Sequence, residues 1–460
     1  MDELKEKLLY QQKNGYDRIG TDERLACEEY CRGYMAYLDA ARTEREAVTE
    51  AIKLAEAAGF APLEEHAGPI RPGQKVYWNN RGKSLLLAVG GKKPMSAGFV
   101  VEAAHVDSPR LDLKQMPLFE DSELGYLRTH YYGGIKKYQW TAIPLELHGV
   151  AALKDGSVVD IVIGRDREDP QFVVTDLLPH LAADQMQKTL AKGVEGEKLC
   201  ILVGSVPYAG EGNDRVKLAV MSLLHDRYGI TEADLISAEL EAVPAFDVRE
   251  LGLDRSMIGG YGQDDRVCAY AELAAILRTE APERTAVCIL ADKEEIGSVG
   301  VSGMKSHAFE RFIERLCGGP GGVQESFSNS FCVSADVTAA LDPMYPEVSE
   351  RQNAARLNYG VGFCKYTGSR GKAGASDASA ELVGYLRRLC DEAGVVWQMC
   401  ELGKVDQGGG GTVAGYMADR DIDTIDAGVP VLSMHAPFET TAKFDCHMTY
   451  KCMLAAYNAQ

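Results

Sequence analysis

The first hydrophobic pattern along the chain repeats with the period of an α-helix. From residue 21 to about residue 56, apolar side chains recur every three or four positions and charged side chains fill the opposite face. This spacing predicts one or two amphipathic helices. After Gly73 the pattern changes to short apolar runs separated by turns rich in glycine, asparagine and lysine, which predicts strands at 75–78, 84–89 and 98–104.

The middle of the chain, from about residue 116 to residue 240, has a different texture. Alternation of apolar and polar residues is typical of half-buried strands, and two stretches have helical spacing instead. The strands are predicted at 143–147, 158–163 and 198–203, and the helices near 181–190 and 214–228. We therefore predict a β-rich unit here, and it contains no group of residues that suggests catalysis.

The last part of the chain alternates between apolar strands and amphipathic helices. Helices are predicted at 265–280 and 377–393, and strands at 285–291, 331–335 and 395–400. This order is typical of βαβ units, in which parallel strands are joined by helices that cover the sheet. The sequence thus predicts an α/β fold with a mixed, mostly parallel sheet sandwiched by helices. Function in such folds lies at the carboxyl ends of the strands.

Composition narrows the range of partners. Of the 460 residues, 46% are hydrophobic and 25% are charged, which is ordinary for a folded globular protein. Lys and Arg number 49 against 68 Asp and Glu, so the net charge is −19 and the surface repels phosphate backbones and anionic lipids. We expect neither nucleic acid nor membrane as a partner. No run approaches ~18 apolar residues, so no membrane span is predicted either.

The cysteine pattern indicates the compartment. Twelve cysteines are spread from Cys27 to Cys452 without a CxxC pair. The charged N-terminus has no apolar segment typical of a secretory signal. Thiols in a long chain without such a signal usually stay reduced, so the prediction is a cytoplasmic protein. Zinc modules built on cysteine are excluded because their spacing is absent.

Four apolar runs end in side chains that can bind a metal ion. They are GFVVEAAHVDSP, TAVCILADKEEIGS, SFCVSADVTAALDP and GVPVLSMHAPFE, and GGYGQDDRVCAY adds an acidic pair at a predicted helix start. Because neighbouring parallel strands end at the same edge of a sheet, we expect these side chains to meet there. Singly, each has an ordinary structural explanation, such as a helix N-cap for the acidic pair. The recurrence after buried strands favours a shared site.

The residue types suit zinc. Imidazole nitrogen and carboxylate oxygen are both zinc ligands, and two histidines with three carboxylates serve two ions if one carboxylate bridges them. The pair Glu294 and Glu295 suggests one ligand beside one proton acceptor. Neighbouring strand residues point in opposite directions, so this pair requires a turn, which Gly297 can supply. Spacing alone does not decide between Asp264 and Asp265.

The ordered motifs resemble a known family. HVDSP, DDR, DKEEIGS, SADVTAALDP and SMHAPFE occur in the same order as in the aspartyl aminopeptidase and vacuolar aminopeptidase I family of dinuclear zinc exopeptidases. The resemblance implies a proteolytic domain formed by residues 1–115 and 244–460, interrupted by a dimerisation domain at 116–243. It also implies a homo-oligomer, a tetrahedral dodecamer built from dimers.

The resemblance assigns a role to each motif. It implies two zinc ions per subunit, with cobalt or manganese as substitutes, and a bridging carboxylate from Asp264. The implied metal ligands are His105, Asp264, Glu295, Asp336 and His435. Glu294 becomes the general base that takes a proton from the attacking water. Asp107 would orient the imidazole of His105, a common duty of groups behind a metal ligand.

The implied activity is hydrolysis of the N-terminal peptide bond of small peptides. Lys365, in the loop KYTGSRGKAGASDAS, is the predicted contact for an acidic N-terminal side chain, although this loop departs from that of acid-specific members. In many relatives a histidine of the inserted domain reaches the neighbouring subunit's site; here His180 or Asp184 stands nearest in sequence. Two alternatives stay open: a dinuclear-metal deacylase or amidase acting on small N-acyl compounds, and a non-catalytic scaffold.

Overall fold

The computed structural model describes residues 2–459, apart from the side chains of residues 2, 3 and 6. The chain divides into two compact units. The first contains the chain up to Asp107, Val248–Met434 and the chain from Glu439 onward. The second contains Ser108–Asp247 and the short segment His435–Phe438.

The α-helices are short to medium in length. In chain order they are α1 (Asp2–Leu8), α2 (Thr21–Ala40), α3 (Glu44–Ala57), α4 (Ala183–Met186), α5 (Leu190–Gly193), α6 (Arg215–Tyr228), α7 (Gln263–Arg278), α8 (Ala308–Cys317), α9 (Val323–Ser328), α10 (Ala380–Glu392), α11 (Ala414–Ala418) and α12 (Lys443–Tyr457). Within residues 2–459, no helix combines the length and apolar character needed to cross a membrane.

Between residues 2 and 459 the strands form three larger sheets and one two-stranded ribbon. In chain order they are β1 (Ala61–Pro62), β2 (Lys75–Asn80), β3 (Ser84–Val89), β4 (Phe99–His105), β5 (Arg110–Asp121), β6 (Leu124–Tyr132), β7 (Leu145–Ala152), β8 (Val158–Ile163), β9 (Val173–Val174), β10 (Cys200–Gly204), β11 (Ala238–Pro244), β12 (Arg249–Leu251), β13 (Met257–Gly260), β14 (Thr285–Ala291), β15 (Phe331–Ser334), β16 (Thr338–Ala339), β17 (Val361–Cys364), β18 (Trp397–Met399), β19 (Gly403–Lys404), β20 (Gln407–Gly408), β21 (Asp423–Gly428), β22 (Pro430–Leu432) and β23 (Glu439–Ala442).

The first unit is built on a nine-stranded sheet with the order β1-β2-β3-β14-β4-β15-β21-β17-β18. Its centre, β14-β4-β15-β21, is parallel throughout. Antiparallel pairs occur where β3 meets β2 and β14, and where β17 meets β21. The predicted mixed, mostly parallel α/β sheet is confirmed.

Helices cover both faces of this sheet because its central strands are apolar on both sides. On one face, residues such as Val100 and Ala104 of β4 join a core with α2, α3, α7, α10 and α12. On the other, Val101 and Ala103 of the same strand join a core with α8, α9 and α11. Successive strand residues alternate between the two faces, so the strand β4 is completely buried and holds its last residue, His105, firmly.

A separate five-stranded sheet in the first unit has the order β12-β13-β23-β22-β16. The strand β22, which precedes His435, belongs to this sheet. The sequence pattern predicted that His435 follows a strand of the main sheet, and that prediction is wrong. The main-sheet strand in this region is β21, which ends at Gly428, and only Val429 separates it from β22. One apolar run therefore contains two strands of different sheets.

The second unit is a seven-stranded antiparallel sheet, β8-β7-β11-β5-β6-β10-β9, with α6 as its longest helix. It is β-rich, and its first strand, β5, begins at Arg110, so the unit starts earlier than the predicted boundary at Met116. The helix predicted near 181–190 is present only as the four-residue helices α4 and α5. That this unit is a dimerisation domain stays a prediction.

Candidate active site

His105 lies at the carboxyl end of β4 and is the centre of a buried polar cluster. Its Nε2 is 3.2 Å from Oδ1 of Asp264, 3.9 Å from Oδ1 of Asp336 and 4.0 Å from Oε2 of Glu294. Its Nδ1 lies 2.9 Å from the backbone carbonyl oxygen of Asp107 and 3.4 Å from the Oδ1 of that residue. The ring orientation is therefore fixed from behind, and Nε2 faces three carboxylates.

The two glutamates after β14 sit in a tight turn. Residues 294–296 form a single 3-10 turn, bounded by Lys293 with a φ of 67° and Gly297 with a φ of 87°. The turn that the sequence required at Gly297 is thus present. The carboxylate of Asp107 accepts two backbone hydrogen bonds from it, at 3.1 Å from the N–H of Glu294 and 3.2 Å from that of Glu295. Asp107 is completely buried.

Asp264 and Asp265 are directed to different partners. The peptide bond between them is cis, and neither residue has helical backbone angles although both fall within α7. Oδ1 of Asp264 faces the ring of His105, whereas Oδ2 of Asp265 lies 3.4 Å from the backbone N of His105. One acid therefore joins the cluster, and the other contacts the main chain of the strand that carries the imidazole.

Asp336 and Glu295 complete the group contributed by the first unit. Asp336 follows β15 by two residues, at the same sheet edge as His105. Ligand atoms of His105, Asp264 and Asp336 all lie within 4.8 Å of one another, and a carboxylate oxygen of Glu295 lies within the same distance of one from Asp264. Four distant stretches of sequence have been brought to one place.

His435 adopts a left-handed backbone conformation, with a φ of 63°. It opens the four-residue segment that is grouped with the second unit. There its Nδ1 lies 2.7 Å from the backbone carbonyl oxygen of Gly134. A hydrogen bond at Nδ1 fixes the tautomer that leaves Nε2 as the nitrogen with a lone pair, which is how metal-binding histidines are usually held.

Among the described residues, no hydrogen bond or ion pair joins either predicted substrate contact, Lys365 or His180, to the cluster around His105. Lys365 is half-buried and directly follows β17, and no hydrogen bond or ion pair joins its ammonium group to another described residue. His180 is exposed in the 3-10 turn Pro179–Leu181 of the second unit. The geometry of the described residues assigns neither side chain to the cluster around His105.

Sequence reasoning missed Glu439 at the end of the SMHAPFE motif. This residue is buried, begins β23, and its Oε2 lies 3.1 Å from the backbone N of Asp264. Its backbone carbonyl also accepts a hydrogen bond from the side chain of Gln263. The sequence signal for Glu439 was a charged residue directly before the short run TTA, which belongs to the same strand. Glu439 thus holds the backbone of Asp264 in the way that Asp107 holds the glutamate turn.

Charge in this cluster is strongly unbalanced. Burial together with the carboxylate of Asp265 raises the pKa of Asp336 well above its usual value. Burial opposes a charge on His105, but the carboxylates of Asp107 and Asp264 raise the pKa of this imidazole well above its usual value. Closely spaced acids in a buried position repel one another, so the arrangement favours a bound cation.

Comparison with known proteins shows the family of this chain. The family model described as aminopeptidase I zinc metalloprotease (M18) matches residues 37–457. The chain belongs to the M18 family. A probable M18 family aminopeptidase 1 from Clostridium acetobutylicum is 47% identical over 453 residues, covering 96% of this chain and 97% of that protein. Another from Thermotoga maritima is 45% identical, covering 92% of this chain and 94% of that protein.

Solved M18 structures have the same fold. The crystal structure of the M18 aminopeptidase from Thermotoga maritima matches with a TM-score of 0.94 at 42% identity, covering 98% of this chain and 100% of that one. Aminopeptidase I from Clostridium acetobutylicum matches with a TM-score of 0.93 at 45% identity, with the same coverage. This M18 protein is therefore a zinc-dependent aminopeptidase, a hydrolase.

The residues around His105 fit zinc. The ion binds imidazole nitrogen and carboxylate oxygen at about 2.0–2.2 Å, so ligands of one tetrahedral ion lie roughly 3.4 Å apart. The distances from His105 Nε2 to Asp264 and Asp336, 3.2 and 3.9 Å, bracket that value. A nitrogen and several oxygens without a thiolate are typical of catalytic rather than structural zinc sites.

Proposed function

We propose that this M18 aminopeptidase works with two zinc ions per subunit. His105 and Asp336 would hold one ion, Glu295 and His435 the other, and Asp264 would bridge them. The observation that carries this proposal is the convergence of His105, Asp264 and Asp336 within 4.8 Å of one another, with Glu294 beside them. Cobalt or manganese would substitute for zinc, because these ligands discriminate weakly among divalent metals.

When bound, zinc supplies a Lewis acid that makes water nucleophilic near neutral pH and polarises the scissile carbonyl. Glu294 is the proposed general base. Its carboxylate accepts a proton from the attacking water and then delivers that proton to the leaving amine nitrogen. Glu294 is partly exposed, with 16% of its side-chain surface accessible, so it can meet both water and substrate.

The roles of the neighbouring acids follow from their contacts. Asp107 holds the turn that aims the carboxylate of Glu294, through hydrogen bonds to two consecutive N–H groups. Glu439 holds the backbone of Asp264. Positions of catalytic groups must be kept to within a fraction of an ångström for full rate, so both acids are proposed as positioning residues.

The substitution Glu294→Gln tests the role of Glu294 as general base, because it keeps the size of the side chain and removes its proton-accepting charge. We expect kcat on an aminoacyl nitroanilide to fall by about 10²–10⁴-fold. The zinc content, measured by elemental analysis, should stay at the wild-type value. Glu310→Gln, at another partly exposed glutamate that pairs with Arg420, is a matched control and should leave kcat unchanged. Wild-type turnover in the Glu294 variant would refute the assignment.

The substrate proposal concerns the first side chain of the peptide. We propose that this site accepts acidic N-terminal residues through the ammonium group of Lys365, since a carboxylate needs a cationic partner in a partly buried pocket. The half-buried position of Lys365 supports this. A panel of nitroanilides that differ only in the N-terminal residue, assayed beside N-acyl amino acids, tests both the preference and the deacylase alternative.

The remaining proposals concern assembly and compartment. We propose a homo-oligomer, a tetrahedral dodecamer built from dimers that form through the unit Ser108–Asp247, with His180 near a neighbouring subunit's site. A structure described as the S. cerevisiae mApe1 dodecamer has the same fold, with a TM-score of 0.75 at 20% identity, covering 93% of this chain and 96% of that one. We also propose a cytoplasmic location. The mass in solution, measured by light scattering, tests the assembly.

A further inference from the structure

Two thiols meet at the ends of neighbouring strands, outside the cluster around His105. Cys364 is the last residue of β17, and Cys400 directly follows β18. The strands are parallel, with Phe363 opposite Met399, and the backbone N–H of Cys400 donates to the carbonyl of Phe363 at 2.9 Å. The two sulfur atoms lie 3.1 Å apart. Both cysteines are free thiols.

The backbone around this pair suits a disulfide. Neighbouring strands are about 4.8 Å apart, which falls within the Cα separation of about 4.4–6.8 Å that a disulfide spans. The sulfurs need to approach by only about 1 Å to reach bonding distance. Two small residues lie beside the pair: it is grouped with Ala355, and Oγ1 of Thr338 lies 3.8 Å from each sulfur. No other cysteine has to move aside.

A second close pair provides a comparison. Cys390 of α10 and Cys452 of α12 have sulfur atoms 3.7 Å apart. Each is 1% exposed, against 4% for each of Cys364 and Cys400. The second pair is therefore farther apart and more enclosed. The shorter sulfur–sulfur distance favours reaction at the pair between β17 and β18.

A disulfide between Cys364 and Cys400 would affect the two chain segments that follow these residues. Cys364 leads into the loop 365–378, and Cys400 leads into the segment 401–409. These two segments face each other across a small cavity of about 160 Å³ and are joined by a side-chain hydrogen bond from Tyr366 to Glu401. A disulfide between Cys364 and Cys400 would covalently join the residues from which the segments 365–378 and 401–409 begin.

We propose that Cys364 and Cys400 form a redox-sensitive modification site, which hydrogen peroxide converts into a disulfide. One thiol attacks the peroxide O–O bond, gaining an S–OH group and releasing one water. The second thiol then attacks that sulfur, so the S–S bond forms and a second water leaves. The two sulfurs together lose two electrons, and peroxide is reduced to water. A dithiol reverses the reaction by exchange.

The reaction should be slow in comparison with a dedicated redox centre. The neighbouring thiol of Cys400 and burial raise the pKa of Cys364 well above its usual value. Thiolates rather than thiols are the nucleophiles, so a buried pair in which the Cys364 thiol resists ionisation reacts only with an excess of oxidant. The disulfide should therefore form only under oxidative stress, because a resting cytoplasm would leave both thiols reduced.

Peptide mapping tests the proposal on the full-length zinc-loaded protein. The protein is treated with excess hydrogen peroxide, quenched with catalase, denatured, alkylated with N-ethylmaleimide and digested with trypsin without reduction. The tryptic peptides distinguish the possible disulfides, because Cys364 falls in peptide 357–365, Cys400 in 389–404 and Cys452 in 452–460. The expected product joins 357–365 to 389–404, with the loss of two alkylatable thiols, and dithiothreitol restores both.

Two variants keep the result unambiguous. Cys390→Ser removes the other thiol of peptide 389–404, so the same cross-link in this variant identifies Cys400 as the partner. Cys400→Ser, which is nearly isosteric, should abolish the cross-link and leave Cys364 alkylatable or oxidised to a sulfinic acid. Three results would overturn the proposal: both thiols fully alkylatable after peroxide, sulfinic acid without a cross-link in the wild type, or a bond from 389–404 to 452–460 that forms first.

Discussion

Replacement of Asp107 by Asn tests whether the buried carboxylate organises the active site or only supports the fold. The carboxylate accepts hydrogen bonds from the N–H groups of Glu294 and Glu295 and lies 3.4 Å from the ring of His105. The Asn side chain keeps one acceptor oxygen but turns an NH₂ group toward the second N–H. One hydrogen bond to a charged acceptor is therefore lost, at a cost of about 1.5–3 kcal/mol.

That free energy sets the expected size of the effect. If the loss falls on the metal-binding state, 1.5–3 kcal/mol corresponds to roughly a tenfold to hundredfold weaker affinity for zinc, the usual range for changes behind a metal ligand. We expect kcat to fall as well, because the turn that aims Glu294 is loosened. Zinc affinity is measured by competition with a chromogenic chelator, and kcat with an aminoacyl nitroanilide at saturating zinc.

A matched control separates this effect from the general cost of changing a buried acid. Asp445 of α12 is also completely buried, and its carboxylate accepts hydrogen bonds from the N–H groups of Asn358 and Gly360, both at 2.7 Å. Asp445→Asn should leave zinc affinity unchanged, because this carboxyl group contacts Asn358 and Gly360 and not the residues around His105. If Asp107→Asn loses stability while zinc affinity and kcat stay at wild-type values, Asp107 is a structural residue and the argument fails.

Asp426, Lys365 and the bound zinc can each be tested by a single perturbation. Burial raises the pKa of Asp426 from 3.8 to about 6, so folding takes up a proton and the free energy of unfolding falls as pH rises from about 4 to 6. Asp426→Asn should remove about 3 kcal/mol of that fall, measured by urea unfolding at several pH values. If the variant shows the same change in the free energy of unfolding with pH as the wild type, this prediction is wrong. Lys365→Met should lower kcat/KM about tenfold or more for an N-terminal Glu substrate but not for a Leu substrate, and an equal loss on both would rule out a role in specificity. Removal of zinc with a chelator should lower the melting temperature, because a ligand at 100 times its Kd stabilises by about 2.7 kcal/mol; a melting curve that does not respond to zinc would count against buried ligands.

Local pattern determined many element bounds. The strands β3, β8 and β14 have the limits that the apolar runs predicted, because each run is closed on both sides by turn residues or charges. Helices α2 and α3 also lie within the predicted range, and α3 begins with a capping box formed by Thr43 and Glu46. Turn residues, charges and capping boxes act through neighbours in sequence, so the sequence alone predicts the limits of these elements.

Tertiary structure decided which of two adjacent acids faces the imidazole. Asp264 and Asp265 are equivalent in pattern, and only the packing of α7 against β4 directs one to the ring of His105 and the other to its backbone. The division of one apolar run into β21 and β22, in two different sheets, also depends on pairing partners far away in the chain. The local sequence pattern of a strand does not show which distant strand it pairs with.

The sequence by itself determined the fold class, the motif order that identifies the family and the residue types able to hold zinc, because each is a property of short stretches. Only the folded chain decided the distances among His105, Asp264 and Asp336, the support of Glu294 by Asp107 and of Asp264 by Glu439, and the meeting of Cys364 with Cys400. These depend on strand register and buried hydrogen bonds between segments that are distant in sequence, and such contacts exist only once both partners are packed.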